Sequence, residues 1–379
     1  MRDGQSAEAR LRFEAAQKRA KALGLQYRTA DEINEGSFDD FMKRLNMLID
    51  SKSIDDEREV AAVLGGEERP TIMLSGLVDE VKEVQKAMLA QKSPNQLRKW
   101  ENPKKLAVKT LTDLVGDKAL PELTRLDALK YRNLWLNRIV DEDLEIGTAN
   151  KNIGHIAKML KDVGKAHQMQ LPPVFADLRI EGETEKQRAA FVPRFVQDSI
   201  LAPHALDDLN AEARDLVLLV ADTGLRLSEA ANLLPETIFL EAEVPHVVVK
   251  PIGRQLKTGH SAREIPLVGN ALAAMKRNPG GFPRYLDKAD SLSALVNKYL
   301  DGRNLLPTPD HSFYSLRHTF EDRLTAVEAP EKVVASLMGH KWIRPKYGAG
   351  PTLEQKARWM ERIAFKPYVH GAPPKPSKP

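Results

Sequence analysis

The segment His311-Ser-Phe-Tyr-Ser-Leu-Arg-His-Thr-Phe320, followed by Met338-Gly-His340 and Tyr347, is the most informative part of the sequence. It places an arginine, several imidazoles and two tyrosines within fewer than forty residues. Protein cores rarely accept so many polar groups close together. An arginine fork surrounded by imidazole donors can instead hold an anion such as a phosphate. We therefore treat this segment as a candidate anion site and ask what the rest of the chain adds to it.

The composition limits the class of protein. A chain of 379 residues is long enough for two or three domains, and 42% hydrophobic with 29% charged residues is typical of a soluble globular protein. The net charge of +4 is only mildly basic, so a nucleic-acid surface would need local clustering of cations. The absence of cysteine excludes disulfides, thiolate nucleophiles and cysteine-ligated zinc.

Neither a membrane span nor a secretory signal is predicted. No apolar run approaches the ~20 residues that a spanning helix needs, and Met1-Arg-Asp-Gly-Gln-Ser6 lacks an apolar core. We expect a cytoplasmic protein with no membrane partner.

Residues 1–92 are strongly charged, and apolar residues at helical spacing predict helices over 7–22, 38–48 and 71–89. We interpret this region as a helical N-terminal extension with solvated charged faces. An arm that binds DNA or another subunit is the alternative.

Residues 93–175 form a second predicted helical region. It opens with a polar, proline-bounded joint over 93–103 and continues with helices over 106–114, 124–137 and 148–168, the second capped by Thr124. Ten cations should lie on the exposed faces: Lys104, Lys105, Lys109, Arg125, Lys130, Arg132, Arg138, Lys151, Lys158 and Lys161. Such a basic face suits a phosphate backbone, although ordinary solvated helix faces explain these residues equally well.

The third region extends over residues 192–366, after a charged linker over 176–191. Helices are predicted over 206–220, 228–234, 287–300, 315–326, 331–337 and 353–363, with strands over 244–250 and 262–268. Arg226 falls in the tight connection between two helices, and Lys257 lies near the tip of the turn between the strands. The basic, proline-rich tail over 367–379 is predicted to be flexible.

Four segments within about 125 residues now carry a family resemblance: Thr223-Gly-Leu-Arg-Leu-Ser-Glu-Ala-Ala-Asn-Leu233, Leu256-Lys-Thr-Gly-His-Ser-Ala-Arg-Glu-Ile-Pro-Leu267, Tyr314-Ser-Leu-Arg-His-Thr-Phe320 and Leu337-Met-Gly-His340. In this order they resemble the first arginine box, the β-hairpin lysine segment, the second arginine box and the Leu-Gly-His turn of the tyrosine recombinases, the phage-integrase-like site-specific recombinases. Tyr347 falls where the nucleophile of this family should follow. Any one segment alone would be a weak signal, whereas four in order are specific.

The resemblance implies a mainly α fold with a small antiparallel β-sheet. Its parts would be a helical N-terminal region, a helical core-binding domain over 93–175 and a mixed α/β catalytic domain over 192–366. No recognised motif covers residues 1–92.

The resemblance also implies roles for the central residues. Arg226 and Arg317 would neutralise the non-bridging oxygens of a phosphodiester as charge builds in the transition state. Tyr347 would attack phosphorus and form a 3′-phosphotyrosyl link, so that neither a metal nor ATP is needed. Lys257 would protonate the departing 5′-oxygen.

Three further residues complete the implied site. His318 and His340 would hydrogen-bond the phosphate and assist proton movement. Glu229 resembles the family's supporting acid, which orients catalytic groups from behind. Tyr314 stands where the second arginine box usually begins with histidine; it can still hydrogen-bond a phosphate, but it is a poor base.

The sequence also contains residues for two other arrangements. Tyr368 is a rival nucleophile, but it lies beyond the last predicted helix. His311 with His318 could hold a metal, but no carboxylate spacing supplies a third ligand.

The same resemblance implies the partners. The protein would bind double-stranded DNA and form a homotetramer on two synapsed sites. Accessory DNA-bending proteins are further partners that the family allows. The implied function is a site-specific recombinase of a bacterial mobile element, located with the nucleoid when bound to DNA. One alternative is a topoisomerase-like enzyme of type IB. Another is a DNA-binding protein that kept the fold and lost catalysis, for which Tyr314 is the hint.

Overall fold

The computed structural model describes residues 2–68, 70–184, 188–342 and 348–370. This part of the chain is mainly helical and contains one small antiparallel sheet, which confirms the predicted fold class. Across these ranges, none of the helices combines the length and the apolar character that crossing a bilayer requires.

Contacts group the chain into two compact units. The first unit comprises Met1–Gln85 with Asn102–Glu183, and the second comprises Lys86–Glu101 with Thr184–Pro379. The predicted domain boundaries are not decided by this grouping and stay predictions.

The N-terminal half of the chain contains the helices α1 (Arg2–Ala22), α2 (Ala30–Asn34), α3 (Phe38–Asp50), α4 (Glu57–Leu64), α5 (Leu77–Val84), α6 (Lys86–Leu89), α7 (Pro94–Val115), α8 (Arg125–Glu142) and α9 (Ile146–Ala166). The C-terminal half contains α10 (Pro193–Phe195), α11 (Ala211–Thr223), α12 (Leu227–Ala230), β1 (Ile238–Phe239), β2 (His246–Val249), β3 (Arg263–Pro266), α13 (Gly269–Arg277), α14 (Ala289–Gly302), α15 (Ser315–Ala326), α16 (Glu331–Met338) and α17 (Leu353–Glu361).

In the first unit, α1 and α3 pack on α4, while α5 and α8 pack on α9. Thr124 caps α8 as predicted, because its hydroxyl accepts from the Asp127 amide while the Asp127 carboxylate accepts from the Thr124 amide at 3.0 Å. Helix α9 buries Ile153, Ile156 and Val163 on its inner face.

The predicted joint over 93–103 was wrong, because this segment forms the first turns of α7. Pro94 opens the helix, where its missing N–H leaves no intrahelical bond unmade. Ser93 and Asn95 bind Asp287 of the second unit, by Oγ to Oδ1 at 2.6 Å and by the backbone amide to Oδ2 at 2.9 Å. The polar residues that suggested a linker are therefore the contacts that hold the start of α7.

Helix α11 is the centre of the second unit, since nearly all of its side chains are buried and it packs on α13 and α15. It begins at Ala211 under an Asn210 cap, later than the predicted residue 206. Gly224 ends the helix with φ +62°, and a β-carbon there would lie 2.3 Å from the Phe320 ring. Glycine is thus required by both the backbone turn and the close packing of α15.

The sheet has the order β1-β2-β3, with both pairs antiparallel. Its register places Val249 opposite Arg263 and Val247 opposite Ile265. Arg263 and Ile265 are buried whereas Glu264 between them is exposed, so an arginine lies on the inner face of the sheet.

Candidate active site

Arg226 immediately precedes α12 and is held by Glu229 of that helix. The Arg226 backbone amide donates to Glu229 Oε2 at 2.9 Å, and its Nη1 donates to Oε1 at 2.7 Å. The helix predicted over 228–234 begins one residue earlier, at Leu227, because the chain enters it at Arg226. The guanidinium is therefore fixed at a helix N-terminus, one turn from its carboxylate partner.

Arg263 is a site residue that the sequence analysis missed. From β3 it donates Nη2 to Glu229 Oε2 at 2.8 Å and Nη1 to Oε1 at 3.1 Å. Its Nε donates to the Leu337 carbonyl at 2.7 Å, and Nη1 also reaches the Ser261 carbonyl at 2.7 Å. A charged residue at an inward position of an alternating strand was the available signal.

Glu229 is only 5% exposed, yet it stays ionised. Burial alone would raise its pKa, but hydrogen bonds and charge from Arg263, with further support from Arg226, outweigh this and lower the pKa to about 2. The carboxylate is thus a permanent negative charge that orients two arginines.

Arg317 crosses the site from α15 and is 3% exposed. Its Nη1 donates to the Gly224 carbonyl at 2.5 Å and its Nη2 to the Met338 carbonyl at 2.6 Å. Burial, followed by the positive charge of Arg226, lowers the pKa of Arg317 to about 10. Because Arg317 binds the carbonyl of Gly224, two residues before Arg226, the structure brings these two predicted residues together.

The C-terminus of α16 gathers the same cluster. Its last two carbonyls, of Leu337 and Met338, accept from Arg263 and Arg317, which is the favourable arrangement for cations at a helix C-terminus. Gly339 then turns the chain with φ +64°, and a β-carbon there would lie 2.9 Å from Arg263 Nη1. Only glycine lets the chain continue past the arginines.

His340 follows that turn and keeps a half-exposed ring beside the cluster. Its Nδ1 lies 3.6 Å from Glu321 Oε1. Desolvation lowers the pKa of His340, Glu321 raises it in part, and Arg317, Arg226 and Arg263 lower it further. At neutral pH the ring therefore tends toward its neutral form, which can both donate and accept a proton.

Tyr314 and His318 lie at the start of α15, with ring centroids 5.5 Å apart and edge-to-face geometry. The Arg188 guanidinium carbon is 5.3 Å from the Tyr314 ring centroid. Tyr314 immediately precedes α15, and Arg317 lies in the first turn of that helix.

Lys257 lies exposed in the loop between β2 and β3. Among the described residues, no contact joins its side chain to Arg226 or Arg317. The loop itself is tied to the site by Ser261, whose Oγ accepts from Arg226 Nη1 at 3.2 Å and lies 3.1 Å from Thr258 Oγ1.

Tyr347 lies outside the described residues, as does most of the predicted tail over 367–379 and part of the predicted linker over 176–191. The roles assigned to Arg226, Glu229, Lys257, Tyr314, Arg317, His318, His340 and Tyr347 stay predictions.

The hydroxyl of the rival nucleophile Tyr368 is engaged in two hydrogen bonds. It donates to Asp207 Oδ1 and accepts from the Leu206 amide, each at 2.9 Å. Burial is the main cause that raises its pKa to about 12, which makes the phenolate harder to form. His311 is likewise engaged: Nδ1 lies 2.8 Å from Thr308 Oγ1 and Nε2 lies 3.2 Å from the Ala190 carbonyl.

The charges of the site do not cancel. Arg226 and Arg263 both bind the buried carboxylate of Glu229, and the buried guanidinium of Arg317 nearby is held by backbone carbonyls. Among these described groups, three guanidinium charges stand against one carboxylate, which leaves two positive charges in excess. Arg226 is the most accessible of the three, with 12% of its side chain exposed. Such a site favours an anionic ligand and stabilises charge that develops on one.

Comparison with known proteins gives a family match for part of the chain. Residues 190–345 match the family model described as phage integrase family, a match that ends before Tyr347. A search of curated proteins gave no match.

Among the solved structures that resemble this chain, three examples cover between 77% and 82% of it. The Tn1549 transposon integrase in complex with transposon right end DNA is 17% identical, with a TM-score of 0.51 over 77% of this chain and 99% of that chain. A lambda integrase dimer bound to a COC′ core site is 14% identical, with a TM-score of 0.51 over 77% and 96%. A lambda integrase tetramer bound to a Holliday junction is 13% identical, with a TM-score of 0.51 over 82% and 89%.

At these identities the solved structures establish the fold, and the family model identifies the C-terminal segment. Residues 190–345, which include Arg226, Lys257, Arg317 and His340, are therefore similar to the phage integrase family.

Proposed function

We propose that this protein is a site-specific DNA recombinase that cuts and rejoins DNA through a 3′-phosphotyrosyl intermediate on Tyr347. The observation that carries the proposal is the excess of positive charge around Glu229, built from Arg226, Arg263 and Arg317. A phosphodiester gains negative charge on its non-bridging oxygens during attack, and fixed guanidinium groups stabilise that charge.

The proposed cleavage step needs four groups. The Tyr347 oxygen forms a bond to phosphorus as the bond to the 5′-oxygen breaks, and Lys257 gives that oxygen a proton. Arg226 and Arg317 stabilise the phosphate throughout. Rejoining is the reverse: the 5′-hydroxyl attacks phosphorus, and the tyrosine leaves.

The histidines and Tyr314 supply the remaining contacts in this proposal. His340 and His318 hydrogen-bond the phosphate, and neutral His340 accepts the proton that the Tyr347 hydroxyl loses as its oxygen bonds to phosphorus, then returns it to the tyrosine when the strand is rejoined. Tyr314 donates its phenolic hydrogen to a phosphate oxygen. Since the arginines provide the charge stabilisation, we expect cleavage to need neither a metal ion nor ATP, and to persist in the presence of a chelator.

The proposed partner is double-stranded DNA. Lys105, Lys109, Lys130, Lys151 and Lys161 are all exposed on the helices of the first unit, where they can contact phosphates. Strand exchange between two duplexes needs four cuts, so we expect a homotetramer. The lambda integrase tetramer bound to a Holliday junction is a precedent within the same fold. Accessory DNA-bending proteins and a mobile element remain parts of this proposal.

The test uses nicked suicide duplexes tiled across the DNA that flanks the gene. A nick beside the cleavage point lets the short 5′-product diffuse away, which traps the covalent protein–DNA adduct. We expect an adduct that resists denaturation and that Tyr347→Phe abolishes. Binding without any adduct would favour a DNA-binding protein that lost catalysis. Relaxation of plasmids lacking the site would favour a topoisomerase.

A further inference from the structure

The loop that carries Lys257 is fastened to the protein on both sides of the lysine. On one side, Ser261 is fully buried and connects the loop to Arg226. On the other side, Gln255 lies two residues before Lys257 and binds the beginning of α7. The exposed lysine is therefore held between two anchors.

Gln96 makes the second anchor with its side-chain amide. Its Nε2 donates to the Gln255 carbonyl at 2.6 Å, and its Oε1 accepts from the Gln255 backbone amide at 2.9 Å. The side chain thus pairs with both backbone groups of Gln255, as a neighbouring strand would. Lys92 adds a bond from Nζ to Gln255 Oε1 at 2.6 Å.

Gln96 is itself fixed in place. The Gln96 backbone amide donates to the Ser93 hydroxyl at 3.3 Å, and the Gln96 Oε1 accepts from the Ser93 backbone amide at 3.2 Å. The two bonds form a capping box at the start of α7. Two N–H groups point at Oε1 and a carbonyl faces Nε2, so the network determines the orientation of the side-chain amide. Ser93 is 5% exposed and anchored on Asp287.

We propose that Gln96 is a positioning residue for the proton donor Lys257, an inference that rests on the proposed function. Gln96 touches none of the three arginines through its described contacts. Its loss should therefore impair proton delivery to the 5′-oxygen and leave phosphate binding intact. A displacement of about 1 Å in a catalytic group can cost ~100-fold in rate.

The test compares two suicide duplexes that differ in one atom of the leaving group. One carries the natural 5′-oxygen at the scissile phosphate, and the other carries a bridging 5′-sulfur. When tyrosine attacks phosphorus, the P–O bond breaks with proton uptake by oxygen. The P–S bond breaks to give a thiolate, which needs no proton. A defect in proton donation therefore disappears with the sulfur substrate.

Five variants make the comparison. Gln96→Ala should slow cleavage of the oxygen substrate roughly 10- to 100-fold and leave the sulfur substrate nearly unchanged, as Lys257→Ala should. Gln96→Glu keeps the acceptor oxygen but faces the Gln255 carbonyl with a second acceptor, so its defect should be at least as large. Gln91→Ala, an exposed neighbour, should change neither rate. Arg226→Lys should slow both substrates.

The outcomes separate the hypotheses. If Lys257→Ala is rescued by sulfur but Gln96→Ala is slowed equally on both substrates, the positioning role of Gln96 is overturned and the proposed function stands. Failure of sulfur to rescue Lys257→Ala overturns the lysine as proton donor, and this inference with it. If the wild type forms no adduct with either substrate, both proposals fail. Thermal unfolding of Gln96→Ala should match that of the wild type, which excludes a folding defect as the cause.

Discussion

Asp222 and Glu229 are buried carboxylates in the second unit, and each is paired with an arginine. Their pKa values are nevertheless shifted in opposite directions. Asp222 is 1% exposed and lies 3.1 Å from Arg323, while Glu229 is 5% exposed and lies 2.8 Å from Arg263. Burial is the dominant effect on Asp222 and raises its pKa, whereas the pKa of Glu229 is lowered to about 2.

The difference lies in what surrounds each pair. Asp222 and Arg323 form an ion pair in which the two charges balance. Asp222 also accepts hydrogen bonds from the backbone amides of Asn270 and Phe365, each at 3.1 Å. The Arg323 guanidinium carbon lies 3.6 Å from the Phe365 ring centroid. This neutral pair joins α11, α13 and α15 to the segment that follows α17, and no charge is left for a ligand.

Glu229 is instead shared by Arg226 and Arg263, with Arg317 close enough to respond to it. The network is positive in total. An ion pair whose charges balance stabilises the fold, whereas a network with excess positive charge can bind an anion. The following predictions test this distinction, in order of decreasing effect.

Arg226→Lys should reduce the rate of adduct formation by roughly 100- to 1000-fold, because lysine cannot reproduce the planar fork that faces the phosphate. The thermal unfolding midpoint should change little, because Glu229 keeps Arg263. The measurement is adduct formation on the suicide duplex. A wild-type rate would contradict the central role of this arginine.

Arg323→Met should have the complementary effect. Removing one partner strands the Asp222 charge in the core, and we expect a loss of about 3–5 kcal/mol in the free energy of unfolding. Urea unfolding measures the loss, and the adduct rate per folded molecule should stay close to the wild-type value. A rate defect with intact stability would place Arg323 in the chemistry.

The two carboxyls should also differ in how stability depends on pH. The pKa of Glu229 falls from 4.5 to about 2 on folding, so it stabilises the fold above its unfolded pKa and loses that contribution as the pH falls toward 2. The contribution is about 3 kcal/mol. The pKa of Asp222 is raised above 3.8, so its contribution declines as the pH rises through this value.

Urea unfolding of the wild type, Glu229→Gln and Asp222→Asn between about pH 3 and pH 7 checks this prediction. The difference between wild type and variant should change with pH in opposite directions for the two sites. Slopes of the same sign would contradict the contrast.

The smallest effect is expected at Tyr314, whose ring contacts His318 and lies under Arg188. Tyr314→His should preserve the adduct rate or raise it a few-fold, since imidazole is a better base near neutral pH. Single-turnover cleavage is the measurement. Complete loss of cleavage would mean that the tyrosine has a different function.

Much of this architecture could be predicted from local sequence patterns. The predicted helix over 315–326 has the same bounds as α15, and Thr124 caps the start of α8 as expected. These signals act within a few residues along the chain, which is why periodicity and caps reveal them. Arg226 and Arg317 were found because each lies in a short motif that resembles a motif of a known family, and such motifs are local as well.

Contacts between distant parts of the chain were not predictable in this way. Arg263 is part of the site because β3 presents its inner face to Glu229, 34 residues earlier. Gln96 meets Gln255 across 159 residues, and the polar composition around Gln96 suggested a linker instead. A sequence shows which side chains are polar, whereas only the fold shows which polar groups meet.

The most direct test of the central claim is to identify the residue that carries DNA in the trapped adduct. Protease digestion of the adduct, followed by mass spectrometry of the nucleotide-bearing peptide, gives this residue. We predict a phosphotyrosyl bond at Tyr347. Attachment at Tyr368, which is buried against Asp207 and has a pKa raised to about 12, would contradict the proposed function of this site, as would any other residue.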